Sequence, residues 1–244
     1  SDLIASEISK NVAYAKTNTL PNFDAASLVT GEHSGLKSLP QMPADNPYLA
    51  PALTQQRIKW IASDASRESE PRVLGSATTV PRHPMNIYYN TSTKANAVDE
   101  YNWLYTSRAD GGSGLCEDNP ATSTCITPLT QDGFDSYIVP KEKQIALGHV
   151  LDNDARPHYA HQSNLTGDRI LYPVVEGILG SYRGVYADNA PIVNVTTAEA
   201  GTQLVRQQTW RARSSQVQAT ISGTKLQLFN NSFSAIDVPV TAPS

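Results

Sequence analysis

Apolar and polar positions along the first 213 residues follow two different periods. Short apolar runs that end in polar residues predict buried strands leaving a sheet, and they occur in "ASLVTGEHSG", "IKWIASDASR" and "GSATTVPRHPMN". Apolar positions spaced three and four apart predict helices, as in "SDLIASEISKNVAYAK", "TKANAVDEYNWLY" and "DRILYPVVEGILGSYRGVY". Strands and helices therefore alternate, which predicts a parallel sheet with helical crossovers.

Two prolines mark further helix starts in the same region. Pro47 opens "NPYLAPALTQQRI", and Pro140 lies in the first turn of "VPKEKQIALGHVL". We interpret "RPHYAHQSN" and "PIVNVTT" as additional strands. Polar residues recur where the strands end, as they do at the C-terminal rim of a (β/α) barrel. The predicted fold class is therefore α/β, with part of a deformed (β/α) barrel.

The pattern changes after residue 213. The segment "SQVQATISGTKLQLFNNSFSAIDVPVTAPS" alternates apolar and polar residues around a Ser222-Gly223 turn, as antiparallel strands do. We predict a barrel portion over residues 1–213 and the start of an antiparallel β-domain, of sandwich type, over residues 214–244. Because the sequence opens directly on a helix, we also expect additional chain upstream.

Charge and hydropathy narrow the range of partners. The 19 Lys+Arg and 23 Asp+Glu give a net charge of -4 without a basic cluster, which argues against nucleic acid as a partner. Glu176 and Arg183 interrupt the most apolar region, so no membrane insertion is expected. Charged residues make up 17% of the chain, below the average of about 25%, and this balance favours an extracellular protein.

The two cysteines lie in one polar segment, "DGGSGLCEDNPATSTC". No second cysteine pair or nearby histidine accompanies Cys116 and Cys125, so a zinc site is not indicated. We favour a disulfide that closes a short loop, with two free thiols as the alternative. A disulfide would agree with an extracellular location.

Candidate chemistry is concentrated where the predicted strands end. Each of these residues alone has an ordinary structural explanation: an Asp can cap a turn, an Arg can pair with a surface carboxylate, and a His can pack in the interior. Together they would converge on one rim of a parallel barrel. The set comprises Glu32, His33, Asp64, Arg67, Arg82, His83, His158, His161 and Asn164.

His158 and His161 lie three residues apart in "ARPHYAHQSN". That spacing shares a face on a helix but points to opposite faces on a strand, and Pro157 favours extended backbone before it. On a strand only one of the two histidines can face the site. We favour His161, which is nearer the strand end and beside Asn164, as the proton donor to a leaving group, with His158 packed behind it.

Several other reaction classes lack their sequence signals. The chain contains no Gly-rich phosphate loop, no G-x-S-x-G and no H-E-x-x-H. Phosphoryl transfer and serine-dependent hydrolysis therefore have no support.

Several separated strings resemble a known family: "LVTGEHSGL", "VPRHPMNIYYN", "DEYNWLYTS", "GGSGLC", "YIVPKE" and "ARPHYAHQSNLTGDRILYPV". They are similar to the secreted polysaccharide deacetylase-like proteins of bacteria and filamentous fungi, including fungal exopolysaccharide deacetylases that act on galactosaminogalactan. The resemblance runs from the first helix to roughly residue 197. It implies a deformed (β/α) deacetylase barrel, often flanked by β-domains, that removes N-acetyl groups from amino-sugar polymers with a divalent metal, commonly zinc.

The resemblance also implies roles for individual residues. His161 best matches the family's acid histidine, with His158 second. Asp64 and Arg67 match charged groups that orient that histidine, and Arg82 matches the group that holds the base carboxylate. We assign substrate binding to Glu32, His33, His158 and Asn164.

The chain departs from the family at the metal site. The family uses an early Asp-containing strand and a His-x-x-x-His segment, and this sequence contains neither. We therefore assign no metal ligand in this chain and expect the ligands of the divalent metal to lie elsewhere. The expected partners are an amino-sugar polysaccharide and an upstream segment of the same protein.

Two other functions are compatible with the sequence. A secreted glycan-binding or cell-surface structural protein could keep a degenerate barrel and present Trp103, Tyr88 and Tyr89 as exposed aromatics. A glycoside hydrolase could use Glu32 and Asp64 as paired carboxylates, which would have to lie about 5 to 10 Å apart.

Overall fold

The computed structural model describes residues 2–39, 42–88 and 90–240, without the side chain of Glu32. Contacts between residues divide the chain into two compact units. The first unit comprises Ser1–Arg82, Ala155–Pro157 and Asn194–Ser244, and the second comprises His83–Asp154 and His158–Val193.

The described elements alternate much as the hydrophobic pattern predicts. The α-helices are α1 (Asp2–Thr17), α2 (Leu49–Gln55), α3 (Lys94–Tyr105), α4 (Leu115–Asp118), α5 (Val139–Leu151), α6 (Leu171–Arg183) and α7 (Thr197–Arg213). The strands are β1 (Ser27–Leu28), β2 (Trp60–Asp64), β3 (Val73–Leu74), β4 (Ala77–Pro84), β5 (His158–Tyr159), β6 (Val217–Ser222) and β7 (Lys225–Asn230).

The first unit is built on a parallel sheet. Strands β1, β2 and β4 pair in that order in parallel, and β3 pairs antiparallel with β4. The central strand β2 is apolar because both its faces are covered, and Ile61 and Ala62 are buried. This arrangement confirms the α/β class and the parallel strands. The described strands do not form a complete barrel.

Helices α1 and α2 cover this sheet with apolar side chains. Ile8 of α1 joins Leu49 and Leu53 of α2 in a buried cluster with Ile58 and Ile61. The predicted apolar face of α1 is therefore only partly used, because Leu3 lies outside this cluster and is largely exposed.

Helix α7 packs closely on β2 and β4 at Gly201. A β-carbon at Gly201 would lie 2.5 Å from Cζ3 of Trp60 and 2.9 Å from Cγ2 of Val80, both closer than atoms can pack. We expect Gly201→Ala to lower the free energy of unfolding by about 1–3 kcal/mol, as overpacking does. Urea denaturation of the variant and the parent protein measures this change.

Gly180 in α6 is the matched control, because nothing lies within 4 Å of a β-carbon built there. Gly180→Ala should leave the protein equally stable, or more stable by up to about 1 kcal/mol through its better helix propensity. Equal effects of the two substitutions would contradict the packing assigned to Gly201.

The second unit has its own core beneath α3, α5 and α6. Its largest buried side chains include Phe134, Ile138, Ile170 and Val174. A π-helical segment, Phe134–Ile138, leads into α5, whose first turn contains the predicted proline. Proline fits there because the first-turn N–H groups have no partner within a helix.

A buried polar network fixes the chain just after β4. Both carboxylate oxygens of Glu142 accept hydrogen bonds from Asn86, one from the backbone N–H and one from the side-chain amide, each at 3.0 Å. The Tyr105 hydroxyl donates to Asn86 Oδ1 at 3.2 Å, and the Tyr88 hydroxyl donates to Tyr105. Burial raises the pKa of Glu142 despite the opposing effect of the Asn86 hydrogen bonds. The same burial raises the pKa of Tyr88.

Cys116 and Cys125 form a disulfide, so the predicted pairing is confirmed. The bond joins α4 to the polar loop that follows it. No free cysteine remains among the described residues, which excludes the alternative of two free thiols.

The predicted strand "PIVNVTT" was wrong. Residues 191–196 are irregular and exposed, and no described strand pairs with them. Val193 is 73% exposed, so its β-branched side chain has no pleated surface to pack on. Instead, Thr196 caps α7: Glu199 N–H donates to Thr196 Oγ1 at 3.3 Å, and Thr196 N–H donates to Glu199 Oε2 at 2.8 Å.

Strands β6 and β7 form an antiparallel hairpin around Gly223, which confirms the two strands predicted there. Most residues of this hairpin are exposed on both faces. The division at residue 213 and the sandwich-type domain stay predictions. None of the described helices is both long and apolar enough to span a membrane.

Candidate functional site

Asp64 and Arg82 lie at the C-terminal ends of neighbouring parallel strands of the first unit. They are directly opposite each other in the register of β2 and β4. Asp64 Oδ1 accepts the Ser66 N–H at 2.8 Å, and the Asp64 carbonyl accepts the Arg67 N–H at 3.0 Å. Arg82 Nε contacts the Ser63 carbonyl at 3.4 Å. The sequence thus located the strand ends, and Asp64 shapes the turn after β2.

Arg67 is exposed and donates to the Leu39 carbonyl at 2.6 Å. This hydrogen bond fastens the turn after β2 to an earlier loop. Sequence reasoning missed a stronger anchor nearby, the Arg72 guanidinium, which binds both carboxylate oxygens of Asp45 at 2.7 and 2.8 Å and Glu68 at 2.6 Å. Burial acts to raise the pKa of Asp45. The hydrogen bonds from Arg72 and from the Lys37 backbone N–H, together with the charges of these two residues, outweigh it and hold that pKa below its usual value.

Glu32 and His33 belong to a short 3-10 helix, Gly31–His33, that follows β1. His33 has a φ of 54°, in the left-handed region that few residues other than glycine adopt. The side chain of Glu32 lies outside the described residues. The paired-carboxylate hypothesis for Glu32 and Asp64 therefore stays a prediction.

His161 lies two residues after the end of β5 in the second unit. It precedes a 3-10 helix, Gln162–Leu165, and its backbone is extended as at a helix start. The imidazole is partly buried and meets the ring of Tyr159 edge to face, with the ring centroids 6.0 Å apart. Because β5 runs parallel to the end of β4, His161 lies beyond the carboxyl end of a parallel strand, where active-site residues of α/β proteins are found.

Asn164 holds this segment in place. Its side chain is 0% exposed, and its Oδ1 accepts the His161 N–H at 2.8 Å. Its Nδ2 donates to the carbonyls of Tyr88 and Thr91, each at 2.9 Å. The amide therefore ties His161 to the loop after β4. Direct contact of Asn164 with a substrate, the role assigned from the sequence, would require these hydrogen bonds to be broken.

His158 lies in a cluster of three histidines rather than beside His161. His149 Nδ1 and His158 Nε2 are 2.9 Å apart, within hydrogen-bonding distance. The rings of His83 and His149 stack with centroids 3.7 Å apart, and His83 Nε2 lies 2.9 Å from Asp154 Oδ2. The two histidines of "PHYAH" thus have different surroundings. His161 lies beyond the end of β5, so the strand-face argument made from their spacing does not apply to this pair.

His149 was missed because the search was confined to strand ends, whereas this residue lies near the end of α5. A usable signal was present. The chain has only 5 histidines, and α5 leads through a short loop into the strand that carries His158.

Burial, together with the neighbouring His149 and His83, lowers the pKa of His158 to about 4, while Asp154 opposes them. A histidine with a lowered folded-state pKa binds fewer protons than the unfolded chain between the two pKa values. The contribution of His158 to stability is therefore complete above pH 6.5, the ordinary value, and is lost as the pH falls to about 4.

We expect this loss to be on the order of 1–2 kcal/mol, allowing for solvent near the cluster. Urea denaturation between pH 4 and pH 7.5 measures it as a decrease in the free energy of unfolding. His158→Gln, which cannot titrate, should show a smaller decrease over the same range. Parallel pH profiles for the two proteins would show that His158 is not the group responsible.

The described His, Cys, Asp and Glu side chains include no group of three that could hold a metal ion. In the histidine cluster the ring nitrogens approach each other or Asp154, and two of the rings are stacked. These contacts suit mutual hydrogen bonding rather than coordination. The divalent metal stays a prediction, and no residue of the described chain is assigned to it.

The aromatic residues proposed for glycan contact differ in their exposure. Tyr88 packs against the core of the second unit, whereas Trp103 is 55% exposed. Tyr89 lies outside the described residues.

The fold is similar to a crystal structure of Agd3, a carbohydrate deacetylase. The likeness has a TM-score of 0.63 at 17% sequence identity and covers 93% of this chain. The chain corresponds to 34% of the Agd3 chain. At this identity the likeness is one of fold. No protein-family model matches this sequence, and no curated protein is similar to it.

Proposed function

We propose that this chain is part of a metal-dependent hydrolase that removes N-acetyl groups from an extracellular amino-sugar polysaccharide. The observation that carries the proposal is the fold likeness to a carbohydrate deacetylase over 93% of the chain. The position of His161 beyond the end of a parallel strand supports it independently. The disulfide between Cys116 and Cys125 is compatible with the extracellular location.

The proposed reaction adds water to the carbonyl carbon of an N-acetyl group and breaks the amide C–N bond. The base carboxylate takes a proton from the attacking water, acetate leaves, and the amine nitrogen takes up a proton. His161 in its protonated form supplies that proton, so that the nitrogen departs as a neutral amine. Asn164 binds the His161 N–H and thereby fixes the backbone from which the imidazole projects.

The proposal includes a divalent metal, commonly zinc, which makes a bound water nucleophilic near neutral pH. The described residues do not fit this group, because none of their His, Cys, Asp or Glu sets could hold it. The proposal therefore assigns its ligands to a part of the protein outside these residues.

The roles of the first unit in this proposal are orienting and binding. Asp64 and Arg67 would orient the acid histidine, and Arg82 would hold the base carboxylate. Asp64 accepts the Ser66 N–H in the turn after β2, and Arg67 donates to the Leu39 carbonyl of an earlier loop. These hydrogen bonds hold the two side chains in fixed positions, which such a role requires. Substrate binding stays assigned to Glu32 and His33.

Acetate release tests the proposal. The protein at its natural length is incubated with polymers of N-acetylgalactosamine and of N-acetylglucosamine. Each incubation is made with the untreated protein, with protein treated with a chelator, and with treated protein to which zinc has been restored. We expect acetate from at least one polymer, its loss with the chelator and its return with zinc. No acetate from any polymer under these conditions would overturn the proposal.

A second candidate is glycan binding without hydrolysis, which the exposed Trp103 favours. Its signature is binding of an N-acetylated polymer by the zinc-loaded protein without release of acetate. Absence of binding to every polymer would exclude this candidate.

A further inference from the structure

Helix α3 presents a polar face with one aromatic side chain to a pocket of about 340 Å³ in the second unit. Its contributing residues are spaced three and four apart and so lie on one face of the helix. The loop after β4 supplies the remaining lining. The described lining residues are Asn90, Thr91, Asn96, Asp99, Glu100 and Trp103.

Trp103 is the largest side chain of this pocket and is 55% exposed. Its backbone carbonyl accepts the Ser113 N–H at 2.7 Å, which fixes the end of α3 from which the indole projects. A single exposed apolar residue needs no functional explanation. An indole on the wall of a polar pocket offers a flat apolar face to a ligand that also carries hydrogen-bonding groups, as a sugar does.

The pocket carries negative charge that its own lining does not neutralise. Asp99 is exposed, and Glu100 is partly buried and accepts a hydrogen bond from Asn90 Nδ2 at 3.2 Å. The described lining contains no Lys, Arg or His. Two carboxylates and an indole face all attract a cation, and an ammonium group can use both attractions at once.

We propose that this pocket binds an amino-sugar unit whose amine is free and protonated. The sugar ring would pack on Trp103, and its ammonium group would face Asp99 and Glu100. An N-acetylated unit has no positive charge and would lose the contribution of both carboxylates. The choice of amino sugars as the ligand class rests on the proposed function, in which such units are the product.

The inference extends the proposed function, because the pocket would hold a stretch of polymer that has already been deacetylated. The charge complementarity makes the binding dependent on ionic strength. About 300 Å³ is the lower end of the range for ligand pockets, so one ring rather than a longer segment is expected to fill it.

Isothermal titration calorimetry tests the inference with matched oligomers of glucosamine and of galactosamine, each with and without N-acetyl groups. We expect at least one deacetylated oligomer to bind at least tenfold more tightly than its acetylated counterpart. Trp103→Ala should weaken that binding at least tenfold, and the double variant Asp99→Asn, Glu100→Gln should abolish the preference.

Glu176→Gln is the control for net charge, since it removes one negative charge from an exposed position on α6 outside the pocket. It should leave the affinity unchanged. Equal affinity for both forms of both oligomers, or undiminished binding by Trp103→Ala, would overturn the inference. Loss of binding by Glu176→Gln would show attraction by net charge alone and would also overturn it.

Acetate release separates this inference from the proposed function. Selective binding of free amines without acetate release would leave the pocket assignment intact and count against the deacetylase. Acetate release without any preference for free amines would support the deacetylase and overturn the pocket assignment.

Discussion

Asn164→Ala is expected to destabilise the protein by about 3–4 kcal/mol, the largest stability effect that we predict. The side chain is completely buried and makes three hydrogen bonds, all to backbone groups. Alanine would leave the His161 N–H and the carbonyls of Tyr88 and Thr91 without these partners. Each buried polar group that loses its partner costs about 1–3 kcal/mol, and partial relaxation reduces the sum.

Urea denaturation measures this loss, and Asn90→Ala is the control because Asn90 is exposed. The control should change the free energy of unfolding by about 0.5 kcal/mol or less. Asn164→Asp provides a second comparison, since it keeps the acceptor for His161 but replaces the amide donor with an oxygen facing two carbonyls. Wild-type stability in either Asn164 variant would contradict the arrangement.

The elements predicted most accurately were those whose local pattern and final packing agree. Strand β2 is apolar because it lies inside a sheet, and α5 begins beside the proline that its first turn accommodates. The segment "PIVNVTT" is rich in β-branched residues, which favour strands, but it has no partner strand to pair with. Pairing depends on distant parts of the chain, so composition alone could not reveal its absence.

Helix α7 shows what a pattern search can overlook. Its start carries the Thr196-x-x-Glu199 capping box, which was readable in the sequence. The packing of α7 against Trp60 depends on Gly201. A glycine inside a segment ordinarily lowers the expectation that the segment is helical. Only the close approach of the sheet explains why glycine is required at this position.

The strand ends themselves were predictable, but the contacts made there were not. In the first unit, chain direction places Asp64 opposite Arg82 near the ends of β2 and β4, and in the second unit His161 lies beyond the end of β5. The partners of each side chain could not be obtained in this way. The hydrogen bonds of Asn164 and the stacking of His83 on His149 join residues far apart in sequence, and no local pattern records such contacts.

The different surroundings of His158 and His161 separate a structural histidine from a candidate acid. His158 has a pKa lowered to about 4 and shares a hydrogen bond with His149, so at neutral pH its ring is almost entirely neutral and lacks the imidazolium proton that a general acid donates. The ring of His161 meets the ring of Tyr159 edge to face. Proton donation by His161 stays a prediction, and the lowered pKa of His158 makes that residue the less suitable donor.

His161→Ala is accordingly expected to lower kcat for acetate release by about 10²- to 10⁴-fold, the usual contribution of a general acid. KM should change little, because the lost proton transfer occurs only in the transition state. The assay uses the protein at its natural length with zinc and the N-acetylated polymer that it hydrolyses. The free energy of unfolding of the variant should remain close to that of the parent, since the hydrogen bond to Asn164 comes from the backbone N–H and persists in alanine.

His158→Ala provides the contrast, because it should lower stability while retaining most of the activity per folded molecule. The acid role also predicts that His161→Ala loses the least activity on substrates whose leaving group needs no protonation, such as an acetate ester of a nitrophenol. Full activity of His161→Ala on the polymer would exclude this residue as the acid. Loss of activity in folded His158→Ala alone would move proton donation to the histidine cluster. The lowered pKa of His158 argues against that outcome, because above about pH 4 most of its rings are not in the imidazolium form that acts as a general acid.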